Sequence, residues 1–500
     1  MKTAGIITAP QAPGAAAVSD YDLMPYVSLP VQYAQPSQLA AMAQLHGLRT
    51  PPAERARVLE LGCAAGGNLI PLAARFPDAR FVGIDLSRRH VDEAVERIRS
   101  LRLRNIEVQQ GDLARLDLGD QRFDYIICHG VFSWVPPAVQ EAILVLCASY
   151  LAADGVATIS YNVLPGWFLR LAVRDICLLH AGAGGPWERV ERARAILTQV
   201  ARGSIKTAYG QVVAAEAKRL ARMPGSYILG EFLAEHNAPC HFEDFVAQAG
   251  AHGLRWLSEA DLASTLPRAI APKSATAICE LAGNDPVRIQ AYLDHFSGRT
   301  FRRSILVRAA AHASATAPVA DSLAGLHFSG RFVADGAPAA DGMFHFSDAR
   351  GRRVSSNHRP TVRMLQEFER RYPATIALAD LEAEPGGVDQ QLRTDLLRLI
   401  EDGRAAASSL PLQPGNAHAE RPAVWPFARL EAARGQPWAT SQLHTAVLLN
   451  PRLRQLVGLM DGRKDRRALA AAFPLELGGD GAEDFEAALA YLSVNGLIES

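Results

Sequence analysis

Twelve residues decide how this chain is read: RVLELGCAAGGN, running from Arg57 to Asn68. A short apolar run breaks into small residues and is followed by LIPLAARF, whose apolar positions recur at helical spacing, so the stretch reads strand, glycine-rich turn, helix. In such a turn the backbone can approach a bound nucleotide closely while the helix N-terminus faces it. A two-glycine turn is weak evidence alone. Two acids strengthen it. FVGIDLS carries Asp85 near its end, about 20 residues on, where a carboxylate can take both ribose hydroxyls. IEVQQGD ends on Asp112, in reach of an adenine amino group.

A dinucleotide and S-adenosylmethionine (SAM) compete for this turn. Dinucleotide sites show GxGxxG with a helix N-terminus cradling pyrophosphate, whereas here Glu60 precedes the first glycine and the spacing is absent. An acid repels pyrophosphate but suits the cationic amino group of methionine. SAM is the expected cofactor.

Outward from the turn, RRHVDEAVERIRSLR carries Val91, Ala94, Val95 and Ile98 at helical spacing. Phe123–Val131 and Val156–Val163 read as further buried strands, separated by a helix over Ala138–Leu151. Strands alternating with helices imply right-handed crossovers and a Rossmann-like, doubly wound α/β sheet. A long helical stretch, Phe168–Leu179 and Trp187–Arg222, then reads as an insertion over residues 168–235, before a helix and a closing strand at Leu254–Leu257. The expected divisions are an N-terminal segment 1–50, an α/β domain 51–268, a helical connector 269–318 that includes Arg302–Val307, a middle domain 319–405 and a mainly helical C-terminal domain 423–500. In the middle domain, LHFSGRFV and GMFHFSD suggest a hairpin. With helices at Pro360–Arg371 and Asp389–Glu401 this gives a winged-helix-like module.

Composition limits the function classes. The chain has 500 residues, too many for one core, with 52 basic against 52 acidic side chains. That balance leaves no electrostatic footprint for duplex DNA, so no nucleic-acid partner is expected. Only Lys2, Lys206, Lys218, Lys273 and Lys464 are lysines; the other basic residues are arginines. No apolar run approaches the roughly 20 residues that span a bilayer, and the N-terminus lacks a signal-peptide core. Cys63, Cys128, Cys147, Cys177, Cys240 and Cys279 lie far apart without ligand spacing. A reduced, cytoplasmic home without zinc or disulfides is expected, and no metal site.

With ELGCAAG as glycine-rich motif, GIDLS as ribose strand and QQGD as adenine strand, the chain resembles class I SAM-dependent methyltransferases. YDLMPYVSLP (Tyr21–Pro30), CHGVFSWVP (Cys128–Pro136), SYNVLPGW (Ser160–Trp167), FRRSILVR (Phe301–Arg308) and LLNPRLRQLVGLMDG narrow this. They resemble bacterial methyltransferases that carry a methyltransferase regulatory domain, whose best-known members methylate lysines of outer-membrane proteins. The resemblance runs from about residue 20 to the end.

The resulting site expectations are specific. Glu60, Gly62, Cys63, Gly66 and Asn68 shape the methionine end of the pocket, Asp85 and Leu86 the ribose, and Gly111, Asp112 and Leu113 the adenine. His129 and Gly130 border the sulfonium, although a hydrogen-bonded core histidine fits His129 equally well. The resemblance puts Tyr21 and Tyr26 in a lid over the cofactor, with Tyr33 a lesser candidate because an aromatic in an N-terminal helix usually packs. Trp134, Tyr161 and Trp167 lie past the fourth and fifth strands, where doubly wound folds place ligands. An aromatic channel there lowers an amine's pKa by desolvation and attracts the methylated cation, and Asn162 can accept a hydrogen bond from the amine. HGVFSWVP replaces the Asn/Asp-Pro-Pro-Tyr/Phe loop of many amino-methylating enzymes, which disfavours base methylation. The leading expectation is N-methylation of a protein or peptide, at lysine. A small-molecule methyltransferase, with the extra domains as lid and dimer surface, and a non-catalytic SAM-binding scaffold stay open, as does a homodimer.

Overall fold

The computed structural model describes residues 27–203, 206–312, 317–339, 342–383, 389–473 and 481–499. Tyr21 and Tyr26 lie outside these residues.

The N-terminal part supplies helix α1 (Pro36–Leu45). The sheet domain follows as β1 (Arg57–Leu61), α2 (Leu69–Arg75), β2 (Arg80–Asp85), α3 (Arg88–Ser100), β3 (Ile106–Gln110), β4 (Phe123–Cys128), α4 (Pro137–Tyr150) and β5 (Leu151–Asn162). Val58, Leu59 and Leu61 of β1 have no accessible surface, as a parallel strand covered on both faces requires. Ser87 starts α3 by accepting a hydrogen bond from the His90 amide. Val91 and Ala94 are then buried.

After β5 the chain leaves the sheet for the helical insertion, α5 (Gly166–Ala181), α6 (Pro186–Gly203), α7 (Ala208–Leu220) and α8 (Gly225–Phe232). This insertion has an apolar core of its own around Val190, Leu197, Val213 and Phe232. Helix α9 (Phe242–Ala251) returns to β6 (Leu254–Glu259). Three more helices, α10 (Pro267–Ile270), α11 (Ala275–Leu281) and α12 (Pro286–Ser297), lead to β7 (Phe301–Arg308).

The seven strands run in the order β3-β2-β1-β4-β5-β7-β6, with β7 antiparallel to both of its neighbours. The sheet therefore does not close before residue 268. Its sixth position is filled by β7, from the segment expected to be a helical connector. The reason is pairing: β5 exposes an edge that only a strand can satisfy, and Phe301–Leu306 pairs with it residue by residue from Asn162 to Ala157.

The middle segment holds β8 (His327–Ser329), β9 (Phe332–Ala334), β10 (Phe344–Asp348), β11 (Arg353–Ser356), α13 (Arg359–Arg371), β12 (Ile376–Ala377), α14 (Leu378–Leu381), α15 (Gln390–Glu401) and β13 (Ala406–Ser408). The expected hairpin forms between β9 and β10, which pair antiparallel, but LHFSGRFV is not a single strand. It divides between two sheets, β8 joining β12 and β13 while β9 joins β10 and β11. The tail comprises β14 (Ala423–Val424), α16 (Pro426–Ala433), β15 (Trp438–Thr440), β16 (Ala446–Leu448), α17 (Pro451–Leu459), α18 (Arg466–Ala472), α19 (Gly481–Val494) and β17 (Ile498–Glu499). Its strands are too short to show alternation in the sequence.

Helix α1 is buried on nearly every side. Its Ser37 carbonyl accepts from the Ser409 amide and Gln44 donates to the Ser322 and Ala324 carbonyls. It thus joins the sheet domain to the middle segment. Among the described residues no helix is long and apolar enough to cross a membrane.

Candidate active site

The parallel strands β3, β2 and β1 lie side by side, so the acids that follow them meet at one edge of the sheet. The turn after β1 is tied to β2, because the Gly62 and Cys63 amides both donate to the Ile84 carbonyl. Gly62 has φ +75°, and a Cβ there would stand 2.3 Å from Val131 Cγ2. Only glycine fits both conditions. Asp85 locks the turn from the side: its Oδ2 accepts from the Ala64 amide at 2.7 Å, and its Oδ1 accepts from the Ser87 amide at 3.0 Å and lies 3.3 Å from His90 Nδ1. Lone pairs are left for a vicinal diol. Leu86 beside it is 67% exposed.

Glu60 is buried. Asn68 Nδ2 donates to its Oε1 at 3.0 Å, while Oε2 is buried without a partner. Burial pushes its carboxyl up to about 8, with Asp85 adding to the rise and the Asn68 hydrogen bond opposing it. A cationic amino group could satisfy that oxygen. Ser28 reaches the turn as well, accepting from the Gly67 amide at 2.8 Å. Asp112 follows β3 and caps the short turn Leu113–Arg115 through the Ala114 amide, while the Gly111 amide donates to the Asp85 carbonyl.

Across the sheet edge, His129 and Gly130 leave β4. The Gly130 amide donates to Ser160 Oγ at 2.8 Å. His129 Nδ1 is 2.9 Å from Tyr33 Oη, and its ring meets Phe301 edge to face at 6.0 Å. The Arg303 guanidinium lies over the Tyr33 ring, 4.2 Å from its centroid, and 5.7 Å from that of Phe301. Burial and Arg303 hold His129 down to about 4, so it is neutral; burial pushes Tyr33 up to about 12 against the pull of Arg303.

The four residues expected to face an acceptor do not stay together. Along a strand, neighbours point to opposite faces. Ser160 pairs with Arg303 and Asn162 with Phe301, whereas Tyr161 pairs with Arg302 on the other face. There Tyr161 stacks on Phe245 at 4.0 Å and bonds Ser304 Oγ at 3.0 Å, inside a network in which Arg302 joins Glu259 and Asp294. Tyr161 is a core residue and presents no acceptor surface. Trp167 is likewise without accessible surface, wedged between Trp134 and Phe232. The side chain of Asn162 is buried and donates to Asn237 at 3.4 Å. Trp134 keeps partial exposure. Sequence reading did not single out Arg303 and Phe301, although period-two alternation in FRRSILVR sets them on one face; Tyr33, the lesser candidate, packs against the core and meets both His129 and Arg303. Ser28 and His90 carried no signal.

Three family models match the chain: a methyltransferase domain over residues 58–155, a predicted methyltransferase regulatory domain over 224–308, and a PKMT C-terminal winged helix domain over 420–476. The uncharacterized protein RP028 of Rickettsia prowazekii is 32% identical over 232 residues, which cover 46% of this chain and 93% of that protein. The chain belongs to the class I SAM-dependent methyltransferases. RP789 of the same organism is 39% identical over 290 residues, 57% of this chain and 52% of the relative, so the match spans about half of that protein's length. The structure of PKMT2 from Rickettsia typhi in complex with AdoHcy superposes with a TM-score of 0.83 at 23% identity, covering 95% of this chain and 100% of that one. At that identity the likeness concerns the fold. This methyltransferase carries its matched winged helix in the tail, which the sequence had suggested only as a mainly helical domain. Its residues fit SAM in kind: an unpartnered buried carboxyl for the amino group, a glycine turn without room for side chains, and a fixed carboxylate after β2.

Proposed function

We propose that this methyltransferase transfers the methyl group of SAM to the ε-amino group of a lysine in a polypeptide. SAM supplies a methyl group already activated on its sulfonium, so the protein has to align the reactants and exclude water. Glu60 and Asn68 hold the amino group, the Gly62–Gly66 backbone lets the cofactor lie close, Asp85 takes the ribose, and Asp112 with Leu113 borders the adenine.

The observation that carries the acceptor reading is the wall of Tyr33, His129, Phe301 and Arg303. An ammonium cannot attack; the amine must first lose its proton. A half-buried aromatic wall with a fixed guanidinium lowers an amine's pKa by desolvation and by charge repulsion. Neutral His129 adds no second cation, and Tyr33 and Phe301 offer ring faces to the methylated product. The match to the PKMT winged helix and the fold shared with PKMT2 support the same reading, as does the bulk outside the sheet domain, which suits recognition of something large. The six free thiols suit a reducing cytoplasm.

Incubation with methyl-labelled SAM and a bacterial proteome should place label on lysine, read by peptide mass spectrometry. Label confined to small metabolites overturns the proposal. With a lysine peptide, kcat/KM should rise with pH as the amine deprotonates. Arg303→Gln should move that rise to higher pH, because removing the cation raises the amine's pKa.

A further inference from the structure

The C-terminal domain reaches the glycine-rich turn. Between β15 and β16 the chain turns at Ser441–Thr445, and His444 at its tip has a left-handed backbone, φ +59°. Non-glycine residues adopt that conformation rarely, and it persists where surrounding contacts impose it. His444 is 3% exposed. Its Nε2 lies 2.8 Å from Asn68 Oδ1, and the Val31 amide donates to the same oxygen at 3.0 Å. A main-chain amide can only donate, so the shared atom is the carbonyl oxygen and His444 Nε2 must carry a proton directed at it. With two donors on Oδ1, the Asn68 carboxamide cannot turn over without setting its NH2 group against both. Its Nδ2 therefore stays on Glu60 Oε1.

We propose that His444 is a positioning residue for the cofactor site: from the C-terminal domain it fixes the Asn68 carboxamide, and so the orientation in which Glu60 meets the amino group of SAM. The docking behind this contact is extensive. Arg75, in the last turn of α2, donates to the Gln442 carbonyl at 3.0 Å and to Gln35 Oε1 at 2.9 Å, and Gln35 donates to the Leu443 carbonyl at 3.4 Å. Beneath them Cys63, Ile70, Val91 and Ala94 share one apolar core with Val424, Trp425, Leu497 and Ile498. Burial and Arg75 push His444 down to about 3, so the ring that donates is neutral. Facing Glu60 are Asp85 from β2 and the thiols of Cys63 and Cys128, with Arg75 and His444 beyond Asn68. Since the Asn68 contact exists only when the tail is docked, docking and cofactor affinity are reciprocally linked. None of this depends on what the acceptor is.

The test is AdoHcy binding by the full-length protein, measured calorimetrically from roughly pH 6 to 9. His444→Phe keeps a ring and removes the donor. It should weaken AdoHcy binding about 3- to 10-fold, the worth of one hydrogen bond. It should also move the pH dependence of affinity upward, because a loosened Asn68 no longer favours the ionised form of Glu60. His444→Gln, whose amide can donate at similar reach, should recover most of both. Unchanged affinity and pH profile in His444→Phe, or equal losses in the two variants, overturns the proposal. If His444→Phe fails to fold, ring nitrogen NMR of the wild type decides: an Nε2-protonated neutral His444 that shifts on AdoHcy binding supports it, and a resonance indifferent to AdoHcy refutes it.

Discussion

Glu60 holds a carboxyl in a dry place with one oxygen bonded and the other waiting. Its pKa stands at about 8 when folded, against an ordinary 4.5. Between those values the folded chain keeps a proton that the unfolded chain has lost, so this group's contribution to stability is present in full below about 4.5 and is lost as pH rises to about 8. An ammonium beside it reverses the preference. Binding of AdoHcy near pH 7 should therefore release a proton from Glu60, seen as a buffer-dependent binding enthalpy. In Glu60→Gln that component should vanish and AdoHcy affinity should fall. Glu60 stood out in the sequence because an acid two positions before the first glycine of such a turn has few other uses. Tyr161 was misread because side-chain direction on a strand depends on register, and register follows from a partner strand some 140 residues away in sequence, Tyr161 pairing with Arg302.

At the scale of elements, two contacts shape the site. The segment before α1 lies on the glycine turn, where a Cβ on Gly67 would come 2.1 Å from the Ser28 carbonyl oxygen. Gly67→Ala must push that backbone away, costing about 1–3 kcal/mol by overpacking. Its AdoHcy affinity should drop, while circular dichroism reports an intact fold. Strand β7 is anchored differently, by Arg302 bonded at 2.8 Å to both Glu259 and Asp294 and packed 4.0 Å over Phe242. Arg302→Met takes the bonded cation from buried Glu259 and leaves Asp294 with Arg299 alone, 3.2 Å away, and should destabilise the protein by about 3–5 kcal/mol, measured by denaturant unfolding. Strands β1 to β5 were legible from their apolar runs. The place of β7 was not, because a strand that closes a sheet looks in sequence like any strand in a connector.

At the scale of the molecule, the apolar clusters cross the expected domain borders. One runs from α1 and the sheet into the middle segment, and another from α2 and α3 into the tail. Shared cores couple unfolding. Calorimetry should show the tail melting together with the sheet domain, and AdoHcy at about 100 times its Kd should add about 2.7 kcal/mol to that joint transition. A separate tail transition indifferent to AdoHcy would contradict this arrangement.

By itself the sequence determined the cofactor chemistry and the doubly wound sheet. Both rest on local pattern: an apolar run, a glycine turn and an acid at the end of the next strand are fixed by neighbours in the chain. Only the tertiary structure decided which side chains share a wall, as Tyr33, His129, Phe301 and Arg303 do, and that His444 stands behind Asn68 376 positions away in the chain. Those meetings depend on burial and docking between distant segments, and no local periodicity encodes them.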